Sequence, residues 1–329
     1  MDSPLLELSD IRIYYKSVRG EYRVVDGVSF SVIEGEILGL AGESGCGKST
    51  LVEGLLRLTK PPGYIKSGQA ISKELTEGVT DDVDLLSLPQ DRFRQIRWKN
   101  ISYVPQGSMN SLNPVMKIED QIMDAMRTHE DIPENMAKRR IRDLLQVVGL
   151  PAEVAGMYPH ELSGGMKQRA IIAAAISLSP KLIIADEPTT ALDVTIQRVI
   201  IQTLASVREN LGSTIVLVTH DMPVHAQLAD RLVIMYAGQV VEIGSIHDLF
   251  DNPLHPYSQG LISTIPAITR ERTRMAGIPG IAPSPLEWPS GCRFHPRCEY
   301  AMKVCAERGP ILKEVSKGRS VACYLHDGS

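Results

Sequence analysis

Apolar and polar positions alternate with period two along the first part of the chain and then switch to a helical period. From residue 5 to about 48 the pattern predicts short strands separated by turns, one of them over 24–32. After Glu34-Gly35-Glu36 an uninterrupted apolar run, 37–41, predicts a buried strand that ends in glycines. Residues 42–50 read GESGCGKST, and Leu51, Leu55, Leu56 and Leu58 then recur at helical spacing, giving a strand, glycine-rich loop and helix unit. Residues 61–100 carry Pro, Gly and charge without a long period, which predicts a loop-rich insertion with a short helix near 91–97. A strand over 101–105 ends at Gln106.

Residues 115–160 are helical by spacing, with Ile118, Ile122 and Met126 on one face and Ile141, Leu144, Leu145 and Val148 on another, closed by Gly149. A buried helix is expected over 170–178, buried strands over 182–185 and 214–218, and a helix over 194–211 between them. Such alternation predicts a parallel sheet. Residues 232–243 read as a hairpin turning at Ala237-Gly238, and a domain boundary is expected near residue 250. The remainder, 251–329, is rich in Pro and Cys and has few long apolar periods, so it could not build much core without a staple.

Composition narrows the function classes. At 329 residues the prior is two domains, or one large domain with an appendage. Hydrophobic residues at 43% and charged residues at 22% argue against disorder and against coiled coil as the main architecture. A net charge of -4 supplies no field to hold a phosphate backbone, so nucleic acid is not expected as a partner. The run 170–178 is far short of a membrane span, and the acidic start lacks the basic and apolar regions of a secretory signal, so a cytoplasmic location is expected. Of five cysteines, Cys46 stands alone, whereas Cys292, Cys298, Cys305 and Cys323 crowd the tail. In a reducing compartment such a cluster reads as metal ligands before disulfides. Its spacing, C-x5-C-x6-C-x17-C, lacks the C-x2-C knuckles of structural zinc.

Gly42, Gly47, Lys48 and Ser49 fit the G-x-x-x-x-G-K-[ST] loop. In that loop, backbone N–H groups and a helix N-terminus cradle phosphates, the lysine reaches the terminal phosphates, and the hydroxyl coordinates Mg2+. The strand LIIADE carries Asp186 to its carboxyl end as the matching metal carboxylate, and Glu187 follows as the natural general base for an attacking water. His220, after the buried strand TIVLVT, reaches the same end of the sheet.

GESGCGKST, Gln106, LSGGMKQ, LIIADEP, Ala191-Leu192-Asp193 and His220 resemble, in order, the motifs of ATP-binding cassette (ABC) ATPases, across residues 5–250. The resemblance implies an α/β phosphate-loop fold with a mostly parallel core sheet, an antiparallel β subdomain, a helical subdomain over about 107–165 and a small Cys-rich extension. It implies ATP contacts from Gly42, Ser44, Gly45, Cys46, Gly47, Lys48, Ser49 and Thr50, and Mg2+ held by Ser49, Gln106 and Asp186. For the adenine ring it implies an aromatic residue near the end of the first strand: Tyr15 by spacing, with Tyr14 and Tyr22 as rivals. Family cassettes pair head to tail, so Ser163, Gly164, Gly165 and Gln168 would serve the nucleotide of the second subunit, with Asp193 in the adjoining loop. His220 would contact the γ-phosphate and the catalytic water, and Gln106 would join the metal site to the helical subdomain. Cys46 has no chemistry to do, and alkylating it is expected to block ATP by bulk.

Three further stretches, SLNPVMKIEDQI, NPLHPYSQGLISTIP and GCRFHPRCEYAMKVC, look like the ATPase subunits of oligopeptide and dipeptide importers. That resemblance implies a complex at the cytoplasmic face of the cell membrane, with a second ATPase subunit (the same chain or a homologue), two permease subunits and an external solute-binding protein. Peptides would be the cargo, or a ligand such as nickel. It also implies a 4Fe-4S cluster on the four tail cysteines, with zinc and free thiols as alternatives and His295 and His326 as substitute ligands. Such a tail would be a structural staple or a redox sensor. A soluble ABC ATPase acting on DNA or ribosomes is the alternative from another class; the single cassette and negative charge argue against it.

Overall fold

The computed structural model describes residues 4–72, 75, 82–264 and 277–327. Two strands of 14 residues, β1 (Pro4–Ser17) and β2 (Gly20–Ile33), pair antiparallel where short strands are expected. Register shifts explain the length: the ladder continues past polar Ser9 and Asp10 through a bulge, with Asp10 at φ 48°, instead of ending there. After β3 (Ile37–Ala41) and α1 (Lys48–Leu55), β4 (Gly63–Ser72) pairs with β1 from Leu6↔Ser72 to Tyr15↔Gly63, and β5 (Val83–Asp84) pairs with β4. Strand β4 replaces the loop expected there; Lys66, Ser67, Gly68 and Gln69 give it too little apolar alternation to read as a strand. The sheet has the order β2-β1-β4-β5. Within that insertion, residues 73, 74 and 76–81 lie outside the described ones.

Helix α2 (Gln90–Ile96) leads into β6 (Ile101–Val104), and then α3 (Ile118–Arg127) and α4 (Glu134–Val147) form the helical part. Ile118, Ile122 and Met126 of α3 and Ile141, Leu144 and Leu145 of α4 share one core with Ile171 and Ile172 of α5 (Gly164–Ala175). Each such fully buried side chain contributes roughly 2 kcal/mol of transfer free energy. The chain then alternates β7 (Leu182–Asp186), α6 (Val194–Leu211), β8 (Thr214–Val218) and α7 (Met222–Leu228), followed by the hairpin β9 (Arg231–Tyr236) and β10 (Gln239–Ser245). Ala237 and Gly238 turn that hairpin at φ 50° and 81°.

After α8 (Ile246–Asp251) and α9 (Pro256–Ser263), the tail contributes α10 (Lys303–Glu307), β11 (Lys313–Ser316) and β12 (Arg319–Val321). The last two join an eight-stranded sheet of order β11-β12-β10-β9-β3-β8-β7-β6. Its five strands from β9 to β6 are parallel, and the tail edge is antiparallel. The tail has little core of its own and borrows the cassette's: Phe294 packs at 5.2 Å from Tyr236 of β9 and 5.5 Å from Tyr257 of the tail's own α9, ring centre to ring centre. Arg293 pairs with Asp26 and Arg319 with Glu242 across the same junction. Among the described residues, no helix is long and apolar enough to cross a membrane.

Candidate nucleotide site

Parallel register assembles the site. Leu40 of β3 and Asp186 of β7 both lie beside Val218 of β8, and Val104 of β6 lies beside Ala185, so four strands end together. The loops leaving those ends carry Ser44, Gly45, Gly47, Lys48, Ser49, Gln106, Glu187 and His220 to one cleft of about 340 Å³. Two glycines are forced. A Cβ on Gly42 (φ 147°) would meet the Met235 carbonyl oxygen at 2.2 Å, and one on Gly47 (φ 105°) would meet that of Val24 at 2.6 Å. Gly47 also precedes α1, whose first N–H groups open on the cleft. Lys48 is buried and its Nζ donates to the carbonyls of Gly42 (2.7 Å) and Glu43 (3.1 Å), closing the loop on itself.

Two neighbouring carboxylates stand in opposite electrostatic states. Asp186 is 1% exposed; burial, helped by the charge of Glu187, pushes its pKa up to about 6 against the hydrogen bond it accepts from Ser49 Oγ at 3.1 Å. Burial acts on Glu187 in the same sense, but hydrogen bonds from His220 and Thr190 outweigh it and hold its pKa below the ordinary value. Its Oε1 faces His220 Nδ1 at 2.7 Å and accepts the His220 backbone N–H at 3.1 Å. Oε2 accepts from Thr190 (3.0 Å) and Thr219 (3.2 Å). Glu187 is therefore an ionised, oriented carboxylate, held at φ 49° at the strand end. Thr190, Thr219 and Tyr103 escaped the sequence reading; Tyr103 Oη donates to Asp186 Oδ2 at 3.4 Å. Thr190 sits three residues past Glu187 and was visible in principle. Tyr103 becomes a neighbour only through the register that sets it beside Ile184.

The model of the ABC transporter family matches residues 25–190, and that of the oligopeptide/dipeptide transporter C-terminal region matches 241–305. A dipeptide transport ATP-binding protein of Caldanaerobacter subterraneus is 40% identical, over 99% of this chain and 98% of its own. The oligopeptide transport ATP-binding protein OppD of Bacillus subtilis is 40% identical, over 98% of this chain and 88% of its own. The chain belongs to the ABC transporter family. Among solved structures, the ATP-binding cassette MJ0796, a dimer in a post-hydrolysis state bound to ADP and Pi, superposes with a TM-score of 0.63 at 27% identity, over 73% of this chain and 98% of its own. The cassette cbiO1 of Clostridium perfringens gives 0.64 at 25% identity, over 77% and 92%.

In this ABC ATPase, the signature segment lies outside the cleft of its own chain. Ser163 caps α5, its Oγ accepting from the Met166 N–H at 3.4 Å, and Ser163 and Gly164 are exposed. Gly165 lets α5 approach α6: a Cβ there would meet Ile196 Cγ2 at 2.5 Å. Gln168, expected to serve a second subunit's nucleotide, is buried in its own chain and accepts from Ser108 Oγ at 3.0 Å. Asp193 caps α6 through the Ile196 N–H.

Tyr15 shares a face of β1 with Ile13, lies against Gly63 and sits directly across from Tyr22, beyond the residues that line the cleft. Tyr14 is occupied, its Oη donating to Asp26 at 2.6 Å. Cys46 is buried beneath the loop, its Sγ 3.7 Å from Lys48 Nζ, and burial raises its pKa, so alkylation requires the loop to open first.

The four tail cysteines are unpaired and all line one small apolar cavity with His295 and Phe294. Burial, with the neighbouring thiols adding to it, raises the pKa values of Cys292 and Cys298, and lifts Cys323 to about 11. The expected metal site is not formed: among the described residues, no three His, Cys, Asp or Glu side chains are grouped to hold a metal ion. The ligand set that either a zinc ion or a 4Fe-4S cluster needs is therefore not assembled there. His326 is turned to the Leu254 carbonyl oxygen at 3.1 Å and does not line the cavity, so it is misplaced as a substitute ligand.

Proposed function

We propose that this chain binds ATP between its phosphate loop and the signature segment of a second cassette, hydrolyses it, and so powers peptide import through two permease subunits. The work is done at the cytoplasmic face of the membrane, with an external solute-binding protein delivering the cargo. The observation that carries the catalytic reading is the cleft itself: Lys48 and Ser49 on one wall face the ionised Glu187 and His220 on the other. Ser163 and Gly165 are missing from that cleft, which a second cassette turned head to tail would supply. Peptide cargo rests on relatives named for dipeptide and oligopeptide transport and on the matching C-terminal region.

Lys48 exchanges its two loop carbonyls for phosphate oxygens when the nucleotide enters. Ser49, Asp186 and Gln106 would hold Mg2+, which neutralises phosphate charge. Glu187 orients a water and takes its proton as the oxygen attacks the γ-phosphorus; the bond to the bridging oxygen breaks and its electrons leave with ADP. His220 keeps Glu187 aimed through Nδ1 and presents its exposed edge to the γ-phosphate. Tyr15 or Tyr22 would stack on the adenine.

The tail, residues 251–329, forms the importer-specific extension. Its four thiols line one small cavity but are not grouped as metal ligands, so a 4Fe-4S centre, which rests on the family resemblance alone, would require them to rearrange as well as lose their protons.

The test is Glu187→Gln in the full chain. Turnover should fall about a thousandfold while ATP binding persists and an ATP-dependent dimer accumulates in light scattering. Full turnover in the variant overturns the assignment of the base.

A further inference from the structure

The tail reaches the phosphate loop directly. Glu43, the residue after Gly42, is held at both of its ends by groups from beyond residue 250. Its backbone N–H donates to Tyr257 Oη at 2.7 Å, and Tyr257 is fully buried. Its carboxylate accepts a two-pronged bond from Arg297: Nη1 to Oε2 at 2.8 Å and Nη2 to Oε1 at 3.0 Å. The guanidinium is itself fixed, with Nε on the Pro279 carbonyl oxygen at 2.8 Å and Nη1 on Tyr236 Oη at 3.2 Å, over the rings of Tyr236 and Phe294. Its side chain is 6% exposed against 28% for Glu43, so the buried cation, not the carboxylate, sets the geometry.

This placement answers a problem of charge. A loop that receives a polyphosphate carries a carboxylate one residue past its first glycine, and like charges at such range repel strongly in partly buried surroundings. We propose that Arg297 is a positioning residue for nucleotide binding: it neutralises Glu43, draws that carboxylate away from the incoming phosphates and, with Tyr257, holds the first turn of the loop in its binding shape. The proposal rests on reading the loop as the ATP site, and it gives the tail a part in nucleotide affinity that none of the loop's own motifs reveals.

The experiment measures ATP affinity of the full chain by calorimetric titration, alongside the KM for ATP and thermal unfolding. Arg297→Gln should weaken ATP binding roughly tenfold and raise KM by the same factor, with a smaller effect on kcat. Adding Glu43→Gln should restore the affinity to within about threefold of the parent, because the unneutralised charge is then gone. Parent affinity in Arg297→Gln overturns the proposal, and so does a loss that Glu43→Gln fails to rescue, since that loss would come from tail packing. Should Arg297→Gln not fold, Arg297→Lys carries the test: the charge stays and the fork is lost, so a partial loss rescued by Glu43→Gln is expected, and parent affinity overturns. Failure of the parent chain itself to bind ATP, with Lys48→Ala as the negative control, would count against the site and not against Arg297.

Discussion

The nucleotide cleft and the cysteine cavity show what completeness means in a site. In the cleft each charged group already has partners: Lys48 has two carbonyls, Glu187 four donors, and Asp186 the hydroxyls of Ser49 and Tyr103. The cavity presents four unpaired thiols, with three of their pKa values raised and few polar neighbours. The first is organised ahead of its ligand and pays little reorganisation when phosphate arrives. The second lacks such preparation, and a ligand entering it must also displace protons.

The largest expected effect tests that contrast at the cavity. If a 4Fe-4S cluster forms there despite the ungrouped thiols, protein purified without oxygen carries about four iron and four sulfide per chain, and Cys298→Ser abolishes both. Iron-free protein with an unchanged unfolding temperature in Cys298→Ser would make the thiols plain packing.

A second prediction probes the cleft's stored cost. The folded-state pKa of Asp186, about 6, stands above its ordinary 3.8. Between those values the folded chain keeps a proton that the unfolded chain has lost, so stability falls as pH rises through that window and stays lower above it. Asp186→Asn should therefore stabilise the nucleotide-free chain at pH 7.5 by on the order of 2 kcal/mol, with the gain vanishing towards pH 4, while Mg2+-dependent turnover is lost. A lower unfolding temperature at pH 7.5 would contradict it.

The smallest effect concerns the cleft's edge. Tyr15→Ala should weaken ATP binding by about tenfold in titration if its ring is the adenine platform. An unchanged affinity there, with a loss in Tyr22→Ala, would move that role to the residue directly across the ladder.

Local chemistry was legible; long-range chemistry was not. GESGCGKST, LIIADE and His220 could be read because strand, loop and ligand lie within a few residues, and parallel pairing then brings the pieces to one edge. Helix α6 and strand β8 fall where periodicity puts them. Strand β4 was hidden by its polar face, and the long hairpin by bulges that only pairing reveals. Gln168 reads as part of an outward-facing motif but points inward, because helix α5 turns that position toward Ser108. Tyr103 and Arg297 carried no local signal: one depends on strand register, the other on a contact across the whole chain.

That last contact has a consequence for biosynthesis. Residues 43 and 297 stand 254 positions apart, and β12, which pairs with β10, follows later still. Translation emits every motif of the nucleotide site before it emits the pair that steadies Glu43. A nascent or truncated chain therefore holds the loop without its brace, and tight ATP capture is deferred until synthesis has passed the tail.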